Sequence, residues 1–538
     1  MSDASLLDRL QTAEQHFEAR RFAAVIETLE GLPDHGGPVG LGLYLAARGL
    51  ELEAQGRPDD ADVLMERSFA QGATMPSLLR ELTRFFRRRD RRLLAHHAFL
   101  MHELMEPGAA SSVHDVTERD RARYAPWVLR ASPWADRMDL YEMAPYKSAL
   151  VERLGPEAAA LVLAGMRSSS SPHVAIRRPL VPLIDHAREQ GLEYEELIGA
   201  GPAVSTAIPL YRRPADEPVE RRTRALFSCI LEDVVVPARS GILLTAGRAL
   251  LDIQEDELVR RPVDLSIDPV VVAGGSDEVL IIEPAERDEL RTLPEAIWLT
   301  GVHTPAYGHW IMEFLPKLWA LLERPGFAEV PILIDDRMPA QHVEAIRLFA
   351  GDANPLIVLQ DQESARVRRL WVCSALVYLP VGPLPSGGRK RVRNGVDDEG
   401  FRRLLERIRP VLEAIDTQAA PRHVYLARKP SQHRRLVNAE AIQEQLEGQG
   451  FQKVDFGELA FREQLRIIRG AEQVVAAGGS ALLTTVFGPP GQRIGVMMPP
   501  FYGDIGWLTQ ACRALGHELS VLVGELANEH PRYRWMSD

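Results

Sequence analysis

The sequence predicts an α/β protein in which two Rossmann-like blocks face each other across a cleft, preceded by an all-α, helical-repeat-like region. Three observations predict it. Residues 1–105 read as helix after helix, short apolar runs alternate with amphipathic stretches from about residue 225, and that alternation occurs on both sides of the basic, glycine-rich break PLPSGGRKRVRNG (383–395). Strands alternating with helices of about 10–15 residues mean βαβ units around a parallel sheet. A chain of 538 residues has room for about three or four such domains.

Composition narrows the class. Hydrophobic residues at 46% and charged residues at 26% are the balance of an ordinary globular protein and argue against disorder. The formal charge of −12 argues against general nucleic-acid binding, while leaving room for local basic patches. Cys229, Cys373 and Cys512 lie far apart without a CxxC pair, so they make no zinc site and suit a reducing compartment. The start MSDASLLDRLQTAEQHFEARRF has early acids and no apolar run of signal-peptide length. No stretch offers the ~20 apolar residues of a membrane span. The expected location is the cytoplasm.

The elements follow in order. In 1–105, Arg21-Phe22-x-x-Val25, Arg57-Pro58-x-x-Ala61 and Asp90-Arg91-x-x-Leu94 recur at a spacing near the ~34-residue period of tetratricopeptide helix pairs. A plain helical bundle is the bland alternative, and either serves docking or packing, with a possible protein partner at these helices. Residues 106–220 are a mixed helical and linker region. The pieces EAAALVLAGM and LIDHAREQGLEYEEL carry apolar helical periodicity, between the breaks SSSSP and YRRPADEP. Residues 221–385 form the first Rossmann-like block, opened by the strand pairs LEDVVVPARSGILLTAGRALLDI and VVVAGGSDEVLIIEP. It continues through strand AIWLTG, helix YGHWIMEFLPKLWALLE, strand PILIDD, helix AQHVEAIRLFAG and strands PLIVLQ and LWVCSALVYLP. Residues 386–538 form the second block, from helix FRRLLERIRPVLEAI through strands RHVYLAR, FQKVDF, QVVAAG, RIGVMM and LSVLVG, with a helix starting near Ser480.

In open α/β sheets, ligands bind at the carboxyl ends of strands beside helix N-termini. Two loops of the second block fit. ARKPSQHRRLVN follows strand RHVYLAR and concentrates Arg428, Lys429, His433, Arg434 and Arg435. Gly478-Gly479-Ser480 follows strand QVVAAG, and its small residues let backbone N–H groups approach a phosphate at a helix start. Together they can hold a diphosphate with arginine meeting the charge. Singly, a basic run is most often a solvated face and a Gly-Gly-Ser stretch a tight turn. There is no GxxxxGK[ST], and no GxGxxG follows a first strand.

In the first block, GVHTPAYGHWIMEFLPKL puts His309 and Glu313 four apart, on one helix face. A histidine there, with a carboxylate one turn on, suits a general base; a half-buried structural His–Trp pair is the bland reading and on spacing alone the commoner one. His303 and His309 match no standard zinc spacing. No metal site is expected.

These residues resemble glycosyltransferase family 61, which includes bacterial capsule-type and eukaryotic xylosyl- and N-acetylglucosaminyltransferases. The marks appear in order: Gly308-His309-Trp310-x-x-Glu313 with Leu315-Pro316; Arg428, then Arg435-x-x-Asn438; Glu463-Gln464-Leu465; and Gly479-Ser480-Ala481-Leu482 with Phe487-Gly488-Pro489-Pro490-Gly491. The resemblance covers roughly 225–520. It implies the GT-B arrangement and an inverting, nucleotide-sugar-dependent transfer to a glycan, polysaccharide or protein acceptor. No DxD triplet stands on a strand end, so no metal and no cofactor are expected, the nucleotide sugar serving as co-substrate. Under the resemblance His309 and Glu313 are the catalytic candidates, and Arg428, Arg434, Arg435, Asn438, Gln464, Gly478, Gly479, Ser480 and Ala481 bind the donor. Where the family commonly has His-Gly-Ala-Gly-Leu, this chain has Gly478-Gly479-Ser480-Ala481-Leu482. The rival class is a non-catalytic interaction protein, with docking helices on a degenerate transferase platform.

Overall fold

The computed structural model of the chain describes residues 3–32, 35, 37–70, 75–89, 98, 102, 147, 151, 155–166, 173–201, 203–215, 218–254, 265, 267–274, 277–377, 394–395, 397–428, 436–498 and 505–525. The architecture is mixed α/β with helices at the N-terminus. It divides into two compact units, Met1–Ile176 with Leu280–Glu283, and Arg177–Val279 with Pro284–Asp538.

In the first unit the helices Asp3–Glu18, Phe22–Leu29, Gly37–Ala54, Pro58–Ala70 and Pro76–Arg88 succeed one another through short turns. Gly56, at φ +77°, closes one turn in the left-handed conformation that costs glycine least, and Pro58 opens the next helix, where its missing N–H is no loss. The buried faces carry Phe17, Val25, Leu29, Ala46, Met65, Leu79 and Phe85. At Gly49 an added methyl would stand 2.9 Å from Met65 Sδ, so these two helices approach closely because the position is bare. The third expected spacing element, at Asp90-Arg91, lies outside the described residues, as do SSSSP and most of the basic break at 383–395.

Among the described residues the second unit holds strands of three sheets: a small one of Ala203–Thr206, Val219–Thr223 and Asn394–Gly395, and two, a larger and a smaller, that position the site. In the larger, strands β1 (Leu226–Pro237), β2 (Arg291–Trp298), β3 (Ile332–Asp335), β4 (Leu356–Leu359) and β5 (Ser364–Cys373) run in the order β4-β3-β2-β5-β1. β4, β3, β2 and β5 are parallel, with Ile297 opposite Ile332 and Leu293 opposite Val367. β1 returns antiparallel, Leu231 facing Leu370. β5 starts at Ser364, earlier than its apolar run LWVCSALVYLP suggests, because the alternating residues before Leu370 also pair with β2. The expected helix LIDHAREQGLEYEEL is corrected: it ends at Glu189, Gly191 turns the chain at φ +60°, and Tyr194–Ile198 pairs as a strand with β1. Cys229 and Cys373 sit on neighbouring strands but face opposite sides of the sheet, in separate cores.

The smaller sheet is wholly parallel. Its strands β6 (His423–Leu426), β7 (Gln452–Val454), β8 (Gln473–Ala477), β9 (Arg493–Met498) and β10 (Glu518–Val523) lie in the order β7-β6-β8-β9-β10. Chain order thus reverses between β6 and β8, the doubly wound pattern whose crevice opens outside the strands' carboxyl ends.

The strands of the smaller sheet pack in a core of their own, with Val424, Val474, Val496 and Val521; a separate apolar core joins the larger sheet to helices of the second block. Trp310, Trp319, Phe349, Phe461 and Phe487 belong to it, with Phe487 edge-on to Trp319 at 5.8 Å and to Phe461 at 5.9 Å. Such pairs add about 0.5–1.5 kcal/mol each beyond the area they bury. At its edge the Glu344 carboxylate accepts from the backbone N–H of Phe461 (2.6 Å) and of Arg462 (3.2 Å), capping the helix Phe461–Gly470 from another element. Among the described residues no helix is long and apolar enough to cross a membrane.

Candidate active site

The reversal point of the smaller sheet is built from β6 and β8. β6 ends at Leu426 and delivers Arg428 to its carboxyl edge; β8 ends at Ala477 and delivers Gly478-Gly479-Ser480. The Arg428 guanidinium donates to the Gly478 carbonyl at 2.7 Å and lies flat against Gly479. A methyl on Gly479 would stand 2.5 Å from an Arg428 terminal nitrogen, and one on Gly478 1.8 Å from Met498 Sδ. Both glycines are therefore places where another side chain occupies the missing Cβ. The helix from Ser480 to Phe487 is a 3-10 helix rather than an α-helix, and Gly488-Pro489-Pro490 stops it.

The larger sheet supplies the other side. β2 runs out through Leu299 and Thr300 into the loop 301–306, which the Asp335 carboxylate at the end of β3 organises. Asp335 accepts from Gly301 N–H (2.9 Å), the Thr304 hydroxyl (2.8 Å) and Arg239 N–H (2.6 Å). Burial raises its pKa to about 6 despite those donors. His342 Nδ1 donates to the Thr304 carbonyl at 2.8 Å and its ring stacks on Trp310 at 4.8 Å; burial lowers its pKa to about 4, so at neutral pH it is uncharged.

After this loop a helix runs from Tyr307 to Leu321, but not as one α-helix. Trp310–Phe314 is a π turn, with Leu315 N–H bonded to the Trp310 carbonyl five residues back. Pro316 explains the shift: it has no N–H for the Met312 carbonyl, so the α ladder cannot continue through it. On this widened turn His309 Nδ1 meets Glu313 Oε2 at 3.0 Å, with Glu313 almost fully buried and His309 partly open. His303 stacks on the His309 ring at 4.1 Å, and Trp507 stands edge-on to it at 6.0 Å. Burial and the neighbouring imidazole push the His303 pKa well below the usual histidine range.

The two sides touch. A methyl on Gly308 would lie 3.1 Å from Ser480 Oγ, so the residue before His309 packs directly on the turn against which Arg428 rests. The Tyr307 hydroxyl donates to Gln464 Oε1 at 2.6 Å and shares a 2.9 Å hydrogen bond with Thr484.

Residues 307–495 match the family model Glycosyltransferase 61. The match supports glycosyltransferase activity, and it runs from Tyr307 into β9, taking in both halves of the site. No curated protein matches the chain. Within the matched segment the structure brings together His309, Glu313, Arg428, Gly478, Gly479 and Ser480. Arg434 and Arg435 lie outside the described residues. Asn438 is exposed at the N-terminus of the helix Ala439–Gly448, where its carbonyl accepts from Ile442. Gln464 is buried, and its amide is engaged internally: Nε2 donates to the Phe456 and Leu459 carbonyls while Oε1 holds Tyr307. Ala481 lies in the first turn of the 3-10 helix. Among the described residues no group of three or more His, Cys, Asp or Glu is placed to hold a metal ion.

Sequence reasoning missed Tyr307, Thr484, Trp507 and the loop-fixing role of Asp335 and His342. Only Asp335 carried a usable signal, an acid at the end of the strand run PILIDD. The others reach the site by tertiary packing, which no local spacing encodes.

Proposed function

We propose that the chain is an inverting glycosyltransferase that moves a sugar from a nucleotide-diphosphate donor to a glycan, polysaccharide or protein acceptor, in the cytoplasm and without a metal. The two sheets act as a GT-B pair, residues 221–385 on the acceptor side and 386–538 on the donor side. The single observation that carries this reading is the direct packing of Gly308, next to the His309–Glu313 pair, on the Gly478–Ser480 turn that seats Arg428.

Inversion is one in-line displacement. The donor diphosphate leaves from one face of the anomeric carbon while the acceptor hydroxyl attacks the other and loses its proton. Arg428, with Arg434 and Arg435 on the same loop, meets the diphosphate charge at the reversal point, where the crevice of such sheets lies. His309 takes the acceptor proton. Glu313 holds Nδ1, which leaves Nε2 as the accepting nitrogen and favours the imidazolium as it forms. Met498 fills the space beside Gly478, so the histidine common at that place in the family has no room here.

The test is a panel of UDP-, GDP-, CMP- and dTDP-sugars read by thermal shift and by transfer. At least one should raise the melting temperature and support turnover that survives EDTA. His309→Ala should cut kcat by about 10²–10⁴-fold with donor affinity kept within a few-fold, and His309→Asn should not rescue it. Loss of turnover on chelation, restored by Mn²⁺ or Mg²⁺, refutes metal independence. Stabilisation by no donor, with no transfer, favours the non-catalytic platform.

A further inference from the structure

We infer that Tyr307 is a positioning residue, a latch that holds the proton-accepting His309 in register with the donor turn; the inference rests on the reading above. Three observations carry it. Tyr307, Gly308 and His309 are consecutive at the start of one helix, and the first two touch the same partner, the 3-10 helix Ser480–Phe487. Tyr307 reaches Thr484, and Gly308 packs on Ser480, one turn earlier. Two contacts at separate points on one helix resist both sliding and rotation, where a single contact resists neither.

The hydrogen-bond arithmetic gives the latch one orientation. A tyrosine hydroxyl has one proton, and at 2.6 Å it goes to Gln464 Oε1, whose amide is fixed the right way round because Nε2 donates to the Phe456 and Leu459 carbonyls at 2.9 and 3.0 Å. Thr484 must then donate to the Tyr307 oxygen at 2.9 Å. Gln464 and Thr484 are at most 2% exposed, so removing the phenol oxygen strands two buried polar groups that water reaches poorly. Among the described residues Gln464 Oε1 has no other hydrogen-bond partner. The consequence falls on geometry. Ser480 starts directly after the two glycines that seat Arg428, and His309 starts two residues after Tyr307. Slippage between the helices therefore changes the distance from the proton acceptor to the leaving diphosphate without removing either group.

Tyr307→Phe is the test, read in the full chain by two independent measurements. Hydrogen exchange, without any donor, should quicken at both Trp310 N–H, bonded to the Ala306 carbonyl, and Leu482 N–H, bonded to the Gly479 carbonyl. In turnover, kcat should fall by about tenfold to a hundredfold, the scale for a small misplacement of reacting groups, while donor KM stays within about twofold. Adding Thr484→Val removes one of the two stranded groups and spares the bonds of the Gln464 amide to the Phe456 and Leu459 carbonyls; it should recover part of the melting temperature and leave kcat low. Recovery of kcat together with the melting temperature would show Tyr307 to be structural only and overturn the latch. So would unchanged exchange at Leu482, or a KM that rises as much as kcat falls. Should Tyr307→Phe fail to fold, Thr484→Val, which keeps the Tyr307–Gln464 bond, is read the same way with smaller shifts expected in the same direction. If the parent chain itself transfers no sugar, the function reading fails, and the latch stands or falls on the exchange result alone.

Discussion

Gly479 has φ 175° and ψ 171°, extended backbone that any residue adopts, so its bareness serves a neighbour rather than its own conformation. That neighbour is the Arg428 guanidinium. Gly479→Ala should therefore displace Arg428 and weaken donor binding in the same direction as Arg428→Ala, although it removes no charge. Arg428→Ala itself should cost about 1.5–3 kcal/mol of donor affinity, the scale of a hydrogen bond to a charged group. Calorimetry with the best-bound nucleotide sugar checks both; unchanged affinity in Arg428→Ala would remove Arg428 from the donor site. At this scale much of the site was legible. His309, Glu313 and Arg428 stand out because their chemistry is concentrated in short motifs. Gln464 did not read correctly in its surroundings: its amide is spent on Tyr307 and two carbonyls, and a side chain's burial is a property of its neighbours, not of its own letter.

Elements follow local chemistry where a local signal is strong. Asp397 caps the helix Asp398–Glu413 by accepting from Gly400 N–H at 2.5 Å, ahead of Asp398 and Glu399 in the first turn. Asp397→Ala should cost about 1 kcal/mol of stability, seen as a lower denaturant midpoint with an unchanged slope. An unaltered midpoint would mean that packing, not the cap, sets this helix start. The strands and most helices of both sheets were likewise legible from apolar period and turn residues. Several elements were not, the strand His173–Pro182 among them. Tyr194–Ile198 shares a helix-like pattern with the preceding Leu183–Glu189, and only its pairing with β1 makes it a strand. The π turn at Trp310–Phe314 needs Pro316 and the packed Trp310 ring together. The 3-10 helix after Ser480 is set by what flanks it, the close-packed glycines before and the prolines after.

Stability of the whole molecule against pH is a contest between buried groups of opposite sense. His342 titrates near 4 when folded against 6.5 unfolded, so its contribution, of order 3 kcal/mol, is full above pH 6.5 and lost as pH falls through 4. Asp335, raised from 3.8 to about 6, acts oppositely: its contribution is full below pH 3.8 and lost as pH rises through 6. His186, His303 and His517 are also lowered by burial and side with His342. Four imidazoles outweigh one carboxyl, so thermal stability should rise from pH 4.5 to 6.5. His342→Phe, which keeps the stack on Trp310, should flatten that rise; a profile parallel to the parent's would show that His342 does not titrate there. The sequence by itself determined the α/β alternation, the N-terminal helices, the turn Gly478–Ser480 after β8 and the His309–Glu313 pair. Each of these rests on residues close together in the chain, where periodicity and turn chemistry act directly. Only the tertiary structure decided that chain order reverses between β6 and β8, that Met498 fills the place beside Gly478, and that Gly308 packs on Ser480. Those facts depend on which surfaces meet when distant elements pack together, and contacts between residues so far apart in the chain leave no local pattern to read.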